Sequence, residues 1–521
     1  MRKQHPKTPR LPKRTATMLG CAALLSVLTS TSWAQADIAA GASGAGKARL
    51  SIEPSVSVGA TLSSNGNASS SNARSELVLD VTPSVSAVFN TPRVKGFVDY
   101  SLSAQYYLDG NSGNRLSNRL NANTTIEAWD QRAFVDVSGS ISDQSISAFG
   151  PQTTTGLSDS NRSETSTFRI SPFIRGSLGG WADYQLRYAL QTLNTDAGAR
   201  SDSTSQVVSA RLGSRPVGQR LGWFIDASSQ ESDFSVGRDT QSDIARAGLI
   251  VSVSPQLNVT LSAGVETNDT ISLQRESYNT TGLALEWRPS LQTSASVSVE
   301  QRYFGTGYNA ALEHRTGRTV WRYTASRSAS DSPSQGGSVS RGSVYDLLDA
   351  LLDPRVTDPI ERDRLIRVRL FELGLPADAQ VFQDFLSSSA TLNQTQQISV
   401  ALSGIRSVVT FNVTRSATNR LDTLTTLGDD FDANTDIDQQ SWGVSYAHRL
   451  TPITSFNADY LDQKSSGSSG VSSKRQSVSF GLSTRLAPRT SGSVQLQLGR
   501  FNNSAGSYND AAISGRINHR F

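Results

Sequence analysis

Few residues of this chain have the types and the spacing that chemistry requires. Outside the first 34 residues, the histidines are His314, His448 and His519, and they lie far apart in the sequence. Zinc-binding histidines and cysteines recur at short intervals, so this spacing does not indicate a transition-metal site. The single cysteine, Cys21, lies near the N-terminus. We expect no catalytic residue and no cofactor from these positions.

An acidic stretch offers the best-spaced oxygen ligands. Asp430, Asp432, Asn434 and Asp436 place an oxygen-bearing side chain at every second position, a pattern that suits Ca²⁺. The stretch lacks the glycine turn and the closing acidic residue of an EF-hand. The sequence therefore favours a solvated loop, with a calcium site as the alternative.

Serine, histidine and aspartate are all present, so a hydrolase has to be considered. Serine is abundant along the whole chain, as expected of the small polar residue of loops and of water-facing strand faces. We therefore expect a protein that is not an enzyme. A barrel enzyme acting on lipids is kept as the third alternative.

The pattern that must position any site is an alternation with a period of two residues. In the final stretch Ala511, Ile513, Ile517 and Phe521 fall on one face of a strand, and polar residues fall on the other. Similar runs of about 11 to 16 residues recur along the chain, which is enough to cross a bilayer at the tilt of a barrel strand. Strands of soluble proteins are usually shorter.

The connections between these runs alternate in length. Short connections such as 90–93 and 254–256 alternate with longer polar ones such as 63–74 and 146–162. Tight periplasmic turns and longer outer loops are typical of outer-membrane barrels. The sequence therefore predicts an all-β fold over residues 49–521, a transmembrane antiparallel β-barrel of about 22 strands, to within two. A soluble β-helix or sandwich is the alternative.

The first 34 residues have the pattern of a secretory signal peptide. Basic residues precede an apolar run over 18–28, and Ser32 and Ala34 supply small residues for cleavage. Removal of 1–34 takes away six basic residues and changes the formal charge from +4 to −2, which leaves no basic footprint for nucleic acid. The small, Gly-rich residues 35–48 predict a flexible periplasmic lead-in.

One face of the predicted strands carries charges of both signs, and we expect this face to line a water-filled lumen. Opposite charges there either pair across the lumen and make it rigid, or are simply part of the packing of a wet interior. As a pathway, such a lining suits polar or sugar-like solutes without strong charge selection. The expected lumen-lining residues are Asp80, Asp99, Glu127, Asp136, Arg169, Arg175, Arg187, Arg211, Glu286, Glu300, Arg322 and Arg485.

One long loop, residues 329–388, interrupts the strands with helical spacing. We expect helices within 343–386. One begins at Pro359 and runs to about Leu373, with Gly374 as its stop, and a last short one covers 377–386. A barrel of this size has a lumen that leaks unless it is occluded, so the insert either plugs the lumen or caps the outer rim. The residues expected to form the plug or cap are Leu347, Leu348, Leu351, Leu352, Phe371, Phe382 and Phe385.

The insert also carries a family resemblance. Residues 351–355 (Leu-Leu-Asp-Pro-Arg), 364–375 and 382–386 lead into a strand and then into Gly404-Ile405-Arg406. In this layout the chain resembles the outer-membrane proteins associated with the PEP-CTERM/exosortase system. The resemblance implies an envelope role linked to extracellular polysaccharide and assigns no catalytic residue. The terminal Phe521 resembles the final aromatic residue that the barrel-assembly machinery reads in outer-membrane barrels.

These features predict a pore or export-associated component of an exopolysaccharide or PEP-CTERM system, in the outer membrane of a Gram-negative bacterium. The main alternative is a structural or surface-interaction barrel that conducts nothing. The expected partners are outer-membrane lipid and lipopolysaccharide, the barrel-assembly machinery, and polysaccharide or proteins of an export complex. No nucleic-acid partner is expected.

Overall fold

Long antiparallel strands make up most of the chain described by the computed structural model. The described residues are 49–108, 113–158, 160–196, 202–214, 220–330, 345, 348–349, 359–373, 385–387, 389–421, 429–504 and 506–521. The predicted signal peptide and lead-in lie outside them. The strands are β1 (Arg49–Ser63), β2 (Glu76–Asn90), β3 (Val94–Tyr107), β4 (Arg115–Trp129), β5 (Ala133–Ser145), β6 (Arg162–Leu178), β7 (Ala182–Thr195), β8 (Ser203–Gly213), β9 (Leu221–Phe234), β10 (Thr240–Ser254), β11 (Leu257–Asn268), β12 (Glu276–Ser290), β13 (Thr293–Arg302), β14 (Gly305–Arg315), β15 (Thr319–Ser330), β16 (Thr391–Ser403), β17 (Ser407–Arg420), β18 (Asp436–Arg449), β19 (Thr454–Gly467), β20 (Ser472–Ala487), β21 (Thr490–Asn503) and β22 (Gly506–Arg520).

Each strand pairs with the next along the chain, and the last strand closes on the first. β22 pairs antiparallel with β1, with Arg520 opposite Ser55 and Ala512 opposite Ser63. A sheet that closes on itself presents no edge strand to solvent or to another chain. The predicted antiparallel β-barrel is confirmed, and its described residues form one sheet of 22 strands.

The two ends of the barrel carry different connections. At the end where β1 begins and β22 ends, the connections between paired strands have two to seven residues, and we call this the short-turn end. The opposite end, the long-loop end, carries the connections 64–75, 146–161, 331–390 and 421–435. This sorting agrees with the alternation of short and long connections in the sequence, and it corresponds to a periplasmic and an outer end.

The outer face of the wall is apolar. On β22, Ile513 and Ile517 are 50% and 55% exposed and point away from the lumen, as the alternation predicted. Leu79, Val81 and Val85 of β2 are likewise exposed. A continuous apolar surface of this kind on every side of a barrel is suited to lipid rather than to water.

Tryptophans mark one boundary of this apolar surface. Trp181 and Trp223 stack with ring centroids 6.1 Å apart near the short-turn end. Aromatic rings at the level of lipid head groups are typical of membrane barrels. The tryptophans of this girdle are Trp129, Trp181, Trp223, Trp287 and Trp321.

The connection between β15 and β16, residues 331–390, is the helical insert, and it was predicted as 329–388. Its described helix, α1 (Pro359–Leu373), begins at the predicted proline, because the missing N–H and the fixed φ of proline suit the first helical position. It ends one residue before Gly374, as predicted. None of the helices in the described residues is long and apolar enough to span a membrane.

The rest of the predicted helical pattern is described only in part. Upstream of α1, Tyr345, Leu348 and Asp349 are helical, as expected. Downstream, the helix expected to reach residue 386 is wrong at Phe385, which forms a parallel β-bridge with Ser145. The physical reason is that the Phe385 side chain is buried in an apolar cluster at the long-loop end, which holds the backbone against β5.

Candidate functional site

The helix α1 lies inside the barrel. It packs against β2 on one side and against β18 and β19 on the other. Because β1 and β20 to β22 lie between these two stretches of wall, the helix crosses part of the lumen. A helix of this length measures about 22 Å. Ile366 and Leu370 on the helix are buried, so its apolar side chains are covered within the barrel.

A chain of hydrogen bonds ties α1 to the wall. Arg367 Nη2 donates to both oxygens of Asp99 at 3.0 and 3.1 Å, and Arg367 Nε donates to Asp363 at 2.8 Å. Asp363 also accepts from Tyr345 Oη at 2.8 Å, and Asp99 accepts from Ser86 Oγ at 2.5 Å. The predicted lumen residue Asp99 therefore anchors the insert. Its partner Arg367 was not among the predicted site residues.

Further ion pairs stabilise α1 within the insert. Arg362 Nε donates to Asp349 Oδ1 at 2.9 Å, which joins the helix to the helical residues before it. Arg364 donates to Glu361 one turn away, and this hydrogen bond raises the pKa of the Arg364 guanidinium above its usual value. Ionic contacts from both arginines therefore hold the helix in place.

A second segment crosses the lumen at the long-loop end. We call it the strap: residues 146–161, described except for residue 159, which connect β5 to β6. Thr154 donates to Asp510 Oδ2 on β22 from its backbone N at 2.9 Å and from its hydroxyl at 2.6 Å. Tyr508 Oη accepts from Gln152 N at 2.9 Å and donates to Gln152 O at 2.6 Å. The strap is therefore fastened to β22, which lies five strands away from β5 around the wall.

A glycine makes room for the strap. A Cβ atom placed on Gly499 of β21 would lie 2.2 Å from Thr154 Cγ2, so a side chain at this position would push the strap off the wall. Glycine inside a strand is typical of such a close approach.

The strap, the insert and the 421–435 loop meet in one apolar cluster at the long-loop end. Phe385 of the insert and Phe431 of the loop have ring centroids 6.0 Å apart, and Ala148 of the strap is buried with them. Ala148 N also donates to Asp430 Oδ2 at 2.8 Å. These three segments therefore move together or not at all.

A cavity of about 730 Å³ remains between α1, the strap and the wall of β18 to β22. Leu370 of α1 and Thr154 of the strap line it, and it reaches Pro452 and Ile453 at the short-turn end. Its volume is in the range of small-molecule binding sites. Many of the side chains on its wall carry hydroxyls or amides, among them Ser455, Ser477, Ser479, Ser483, Gln495 and Gln497.

The structure places the twelve predicted lumen residues on the inner face of the wall. Several of them form ion pairs along the wall: Arg187 of β7 with Asp136 of β5 at 2.7 Å, Glu300 of β13 with Arg246 of β10 at 2.8 Å, and Arg322 of β15 with Glu313 of β14 at 2.9 Å. These pairs join strands one to three positions apart on the same side of the barrel, and they stiffen the wall there.

Other members of the predicted set contact aromatic rings, backbone or water. Arg175 lies 4.3 Å over the Phe134 ring and Arg211 lies 5.2 Å over Phe224. Glu127 accepts from Gln131 N at 2.7 Å. The remaining three are Arg169 and Glu286, which are exposed on the inner face, and Arg485, which lines the cavity.

Asp80 of β2 forms an ion pair with Arg516 of β22 at 3.1 Å, across the intervening strand β1. The residue beneath it is Gly59, and a Cβ atom there would lie 2.5 Å from Asp80 Oδ1. Glycine at this position therefore lets the carboxylate lie flat on the wall.

Of the predicted plug residues, Leu348 and Phe385 are described, and both are buried. The others, Leu347, Leu351, Leu352, Phe382 and the side chain of Phe371, lie outside the described residues.

The predicted calcium ligands form a capped turn. Asp429 and Asp432 satisfy each other's backbone in a capping box around a short 3-10 turn, and Asp430 accepts from the strap. Asn434 donates to Asp430 O at 2.8 Å, and Asp436 accepts from the hydroxyl of Thr435, a neighbouring residue, at 2.9 Å. Within the described ranges, no group of three or more His, Cys, Asp or Glu side chains is placed to hold a metal.

The histidines and the final residue lie at the short-turn end. His519 Nδ1 is 2.9 Å from Thr490 Oγ1, and the Phe521 ring packs edge-on against His519 at 5.0 Å. Phe521 is 64% exposed on the apolar outer face, and its N donates to Pro54 O at 3.0 Å. The predicted assembly signal is thus an accessible aromatic ring at the end of the closing strand.

No protein-family model matches this chain, and no curated protein is similar to it. Solved structures with a similar fold include the siderophore receptor PirA from Pseudomonas aeruginosa, at 8% identity and a TM-score of 0.43 over 90% of this chain and 80% of that one. PirA from Acinetobacter baumannii matches at 10% identity and 0.44, over 91% and 81%. The FrpB iron transporter from Neisseria meningitidis matches at 11% and 0.47, over 90% and 82%. Structural similarities at such low sequence identity give no information about a ligand of this chain.

Proposed function

We propose that this chain is an outer-membrane barrel that passes polar solutes under the control of its insert. We further propose that it serves an exopolysaccharide or PEP-CTERM system as a pore or export-associated component. The observation that carries the proposal is the position of α1, which lies within the lumen and is tied to the wall through Arg367 and Asp99. A lumen of this width leaks when it is empty, so a helix held inside it acts as a stopper.

The outer surface supports the membrane part of the proposal. Exposed aliphatic side chains cover the outside of the strands, and tryptophans lie near the short-turn end. The exopolysaccharide part rests on the resemblance of the insert to proteins of the PEP-CTERM/exosortase system. The hydroxyl-rich and amide-rich cavity beside α1 is compatible with a sugar-like solute.

A closed scaffold is the second candidate, and the strap favours it. Thr154 and Gln152 are fastened to β22 by four direct hydrogen bonds, so the lumen is crossed by two segments and not only by α1. A barrel that only presents a surface needs no path through its lumen. The two candidates differ in whether removal of the insert opens a conducting path.

Single-channel recording in planar bilayers tests the proposal. Residues 331–390 are replaced by a short Gly-Ser turn that joins β15 to β16. We expect the conductance of this variant to exceed that of the full chain by on the order of tenfold, because the lumen is then free of α1. The matched control shortens 269–275, another connection at the long-loop end, and should leave the conductance unchanged. Equal conductance of the insert-free variant and the full chain would overturn the pore and leave the closed scaffold.

A further inference from the structure

The cavity beside α1 is lined by four arginines. Among its described lining residues, the acidic one is Asp459, which is occupied by hydrogen bonds from Asn457 Nδ2 at 3.1 Å and from Ser479 Oγ at 3.0 Å. The carboxylate of Asp80, on the inner face of β2, offsets one arginine, Arg516. The formal charge around the cavity therefore remains positive. The four arginines are Arg475, Arg485, Arg516 and Arg520.

Three of these arginines lie near the mouth of the cavity and one lies at its closed end. Arg485 and Arg520 lie close to the ends of β20 and β22 at the short-turn end. Arg516 lies slightly deeper, because it pairs with Ser493 whereas Arg485 pairs with Ser491. At the closed end, Arg475 donates to Gln152 Oε1 of the strap at 3.2 Å. The guanidinium groups thus mark the two ends of a track from the mouth of the cavity to the strap, with neutral polar side chains between them.

The positive charge is a property of this cavity and not of the whole lumen. A smaller cavity of about 300 Å³ lies against β1 to β4 and is lined by Glu53 and Asp99 as well as by Arg119, Arg367 and Arg520, of which Arg520 also lines the larger cavity. On the wall of β9 to β15, arginines are matched with carboxylates, as in the contact of Arg246 with both Asp226 and Glu300. An excess of one sign in a narrow cleft concentrates ligands of the opposite sign.

The side chains between the arginines indicate which other groups the ligand carries. Ser477, Ser483, Gln495 and Gln497 line the cavity, and their hydroxyls and amides both donate and accept hydrogen bonds. Such groups complement sugar hydroxyls, while guanidinium groups bind carboxylates in a planar, two-pronged arrangement. A ligand that satisfies both sets carries both hydroxyls and carboxylates.

We infer that this cavity binds a segment of an acidic glycan, a chain of sugars that carry carboxylates, entering from the short-turn end. The inference rests on the proposed function and narrows its solute from polar to anionic. It differs from the sequence-based expectation of weak charge selection, because the arginines gather on β20 and β22 while the lumen as a whole carries both signs. The strap limits how far such a segment advances, since Thr154 and Arg475 stand at the end of the track.

Calorimetric titration of the full chain in detergent micelles tests the inference, with a hexamer of galacturonate and with maltohexaose as its neutral counterpart. We expect the hexagalacturonate to bind at least about tenfold more tightly, since charge-assisted hydrogen bonds to guanidinium groups are strong. Raising the salt from about 50 to about 500 mM should weaken only the acidic hexamer.

Two double variants locate the site. Arg485→Gln with Arg520→Gln keeps the Asp80–Arg516 pair intact and should weaken hexagalacturonate binding by about tenfold or more. The matched control is Arg175→Gln with Arg211→Gln, which removes two arginines near the short-turn end of β6 and β8, outside the cavity. It should bind as the unchanged chain does. Heat-dependent migration on SDS gels verifies that both variants form the barrel.

The outcomes separate the inference from the proposed function. Equal affinity for the two hexamers, or equal losses in the two double variants, would overturn the acidic-glycan site. If removal of the insert still opens the channel in that case, the pore stands and only its ligand is wrong. If hexagalacturonate binds at the arginines but the insert-free variant does not conduct, the cavity is a binding site of a closed scaffold.

Discussion

The lumen wall has two unlike sides. On β17 to β19, the inward residues Thr410, Asn412, Ser441 and Ser455 are small, neutral and buried, each at most 3% exposed. On β9 to β15, the inward face carries ion pairs such as Arg322 with Glu313, whose side chains are 35% and 30% exposed. The first side lies next to α1 and the cavity, and the second faces the open part of the lumen. We call them the covered wall and the uncovered wall.

This difference shows what a removable cover, here α1, requires of the wall beneath it. A charge covered by protein loses its water at a large free-energy cost, whereas a hydroxyl or amide loses much less. Thr410 Oγ1, Asn412 Oδ1 and Ser441 Oγ are buried without a hydrogen-bond partner in the part of the chain that is described. Each such atom costs about 1–3 kcal/mol. When the cover leaves, water forms hydrogen bonds with these atoms and removes this cost. The closed state is therefore only moderately stable.

A buried charge on the covered wall should have the largest effect. Asn412→Asp places a carboxylate beneath the cover, which should destabilise the closed state by on the order of 3 kcal/mol, because the carboxylate is desolvated there. We expect more frequent conducting steps in planar bilayers at neutral pH. At low pH the carboxyl becomes neutral like asparagine, and the steps should become rare again.

The matched control is Asn309→Asp on the uncovered wall. Asn309 points into the lumen from β14 and is exposed, so its carboxylate keeps its water. Its conductance should be that of the unchanged chain at both pH values. Equal effects of the two substitutions would show that the two walls do not differ in cover.

Breaking the contact between the insert and the wall should have the next largest effect. Arg367→Gln removes the contacts to Asp99 and Asp363, and Asp363 is nearly buried, so we expect a loss of about 2 kcal/mol. Proteolysis within α1 should become roughly thirtyfold faster at limiting protease, because the opened state is more populated by the factor that about 2 kcal/mol implies. Adding Asp99→Asn to this variant should change little, since its partner is already gone.

The uncovered wall supplies the comparison for this variant. Arg322→Gln removes a pair with Glu313 that is about one-third exposed, and it should cost under about 1 kcal/mol. Proteolysis of α1 should not change in this variant. If both arginine variants expose α1 alike, Arg367 has no special role in holding the insert.

The barrel itself was predictable because its signal is local. The alternation on β22 assigned Ile513 and Ile517 to the outer face, and short connections separated one strand from the next. The start of α1 at Pro359 was equally local, since proline fixes the first turn. These features depend on residues a few positions apart, which is the range over which periodicity and turn chemistry act.

The strap was not predictable in the same way. Its partners Tyr508 and Asp510 lie about 350 residues away in the sequence, and its own Ser, Thr and Gln residues carry no periodicity. The available signal was Gly499, since a glycine within a strand indicates that something approaches the wall closely. Likewise, strand parity placed the insert at one end but did not decide whether it would enter the lumen. That depends on Asp99, whose role as its anchor only the folded barrel reveals.

The strap offers the smallest and most local test of the two walls. Tyr508→Phe removes the hydroxyl that bonds both Gln152 N and Gln152 O, and it leaves two backbone groups of the strap without that partner. We expect a loss of about 1 kcal/mol in the attachment of the strap. Hydrogen exchange of strap amides should become about fivefold faster, while strand amides of β22 keep their rates.

Tyr278→Phe is the counterpart on the uncovered wall. Tyr278 also points inward near the long-loop end, but its hydroxyl bonds only the Glu276 side chain of its own strand. Its removal leaves no backbone group of a crossing segment unpaired, so exchange in the strap should not change. Faster strap exchange in both variants would mean that the strap senses the whole barrel and is not held by β22. Faster exchange in Tyr508→Phe alone would show that the hydroxyl on β22 helps to hold the strap at the long-loop end.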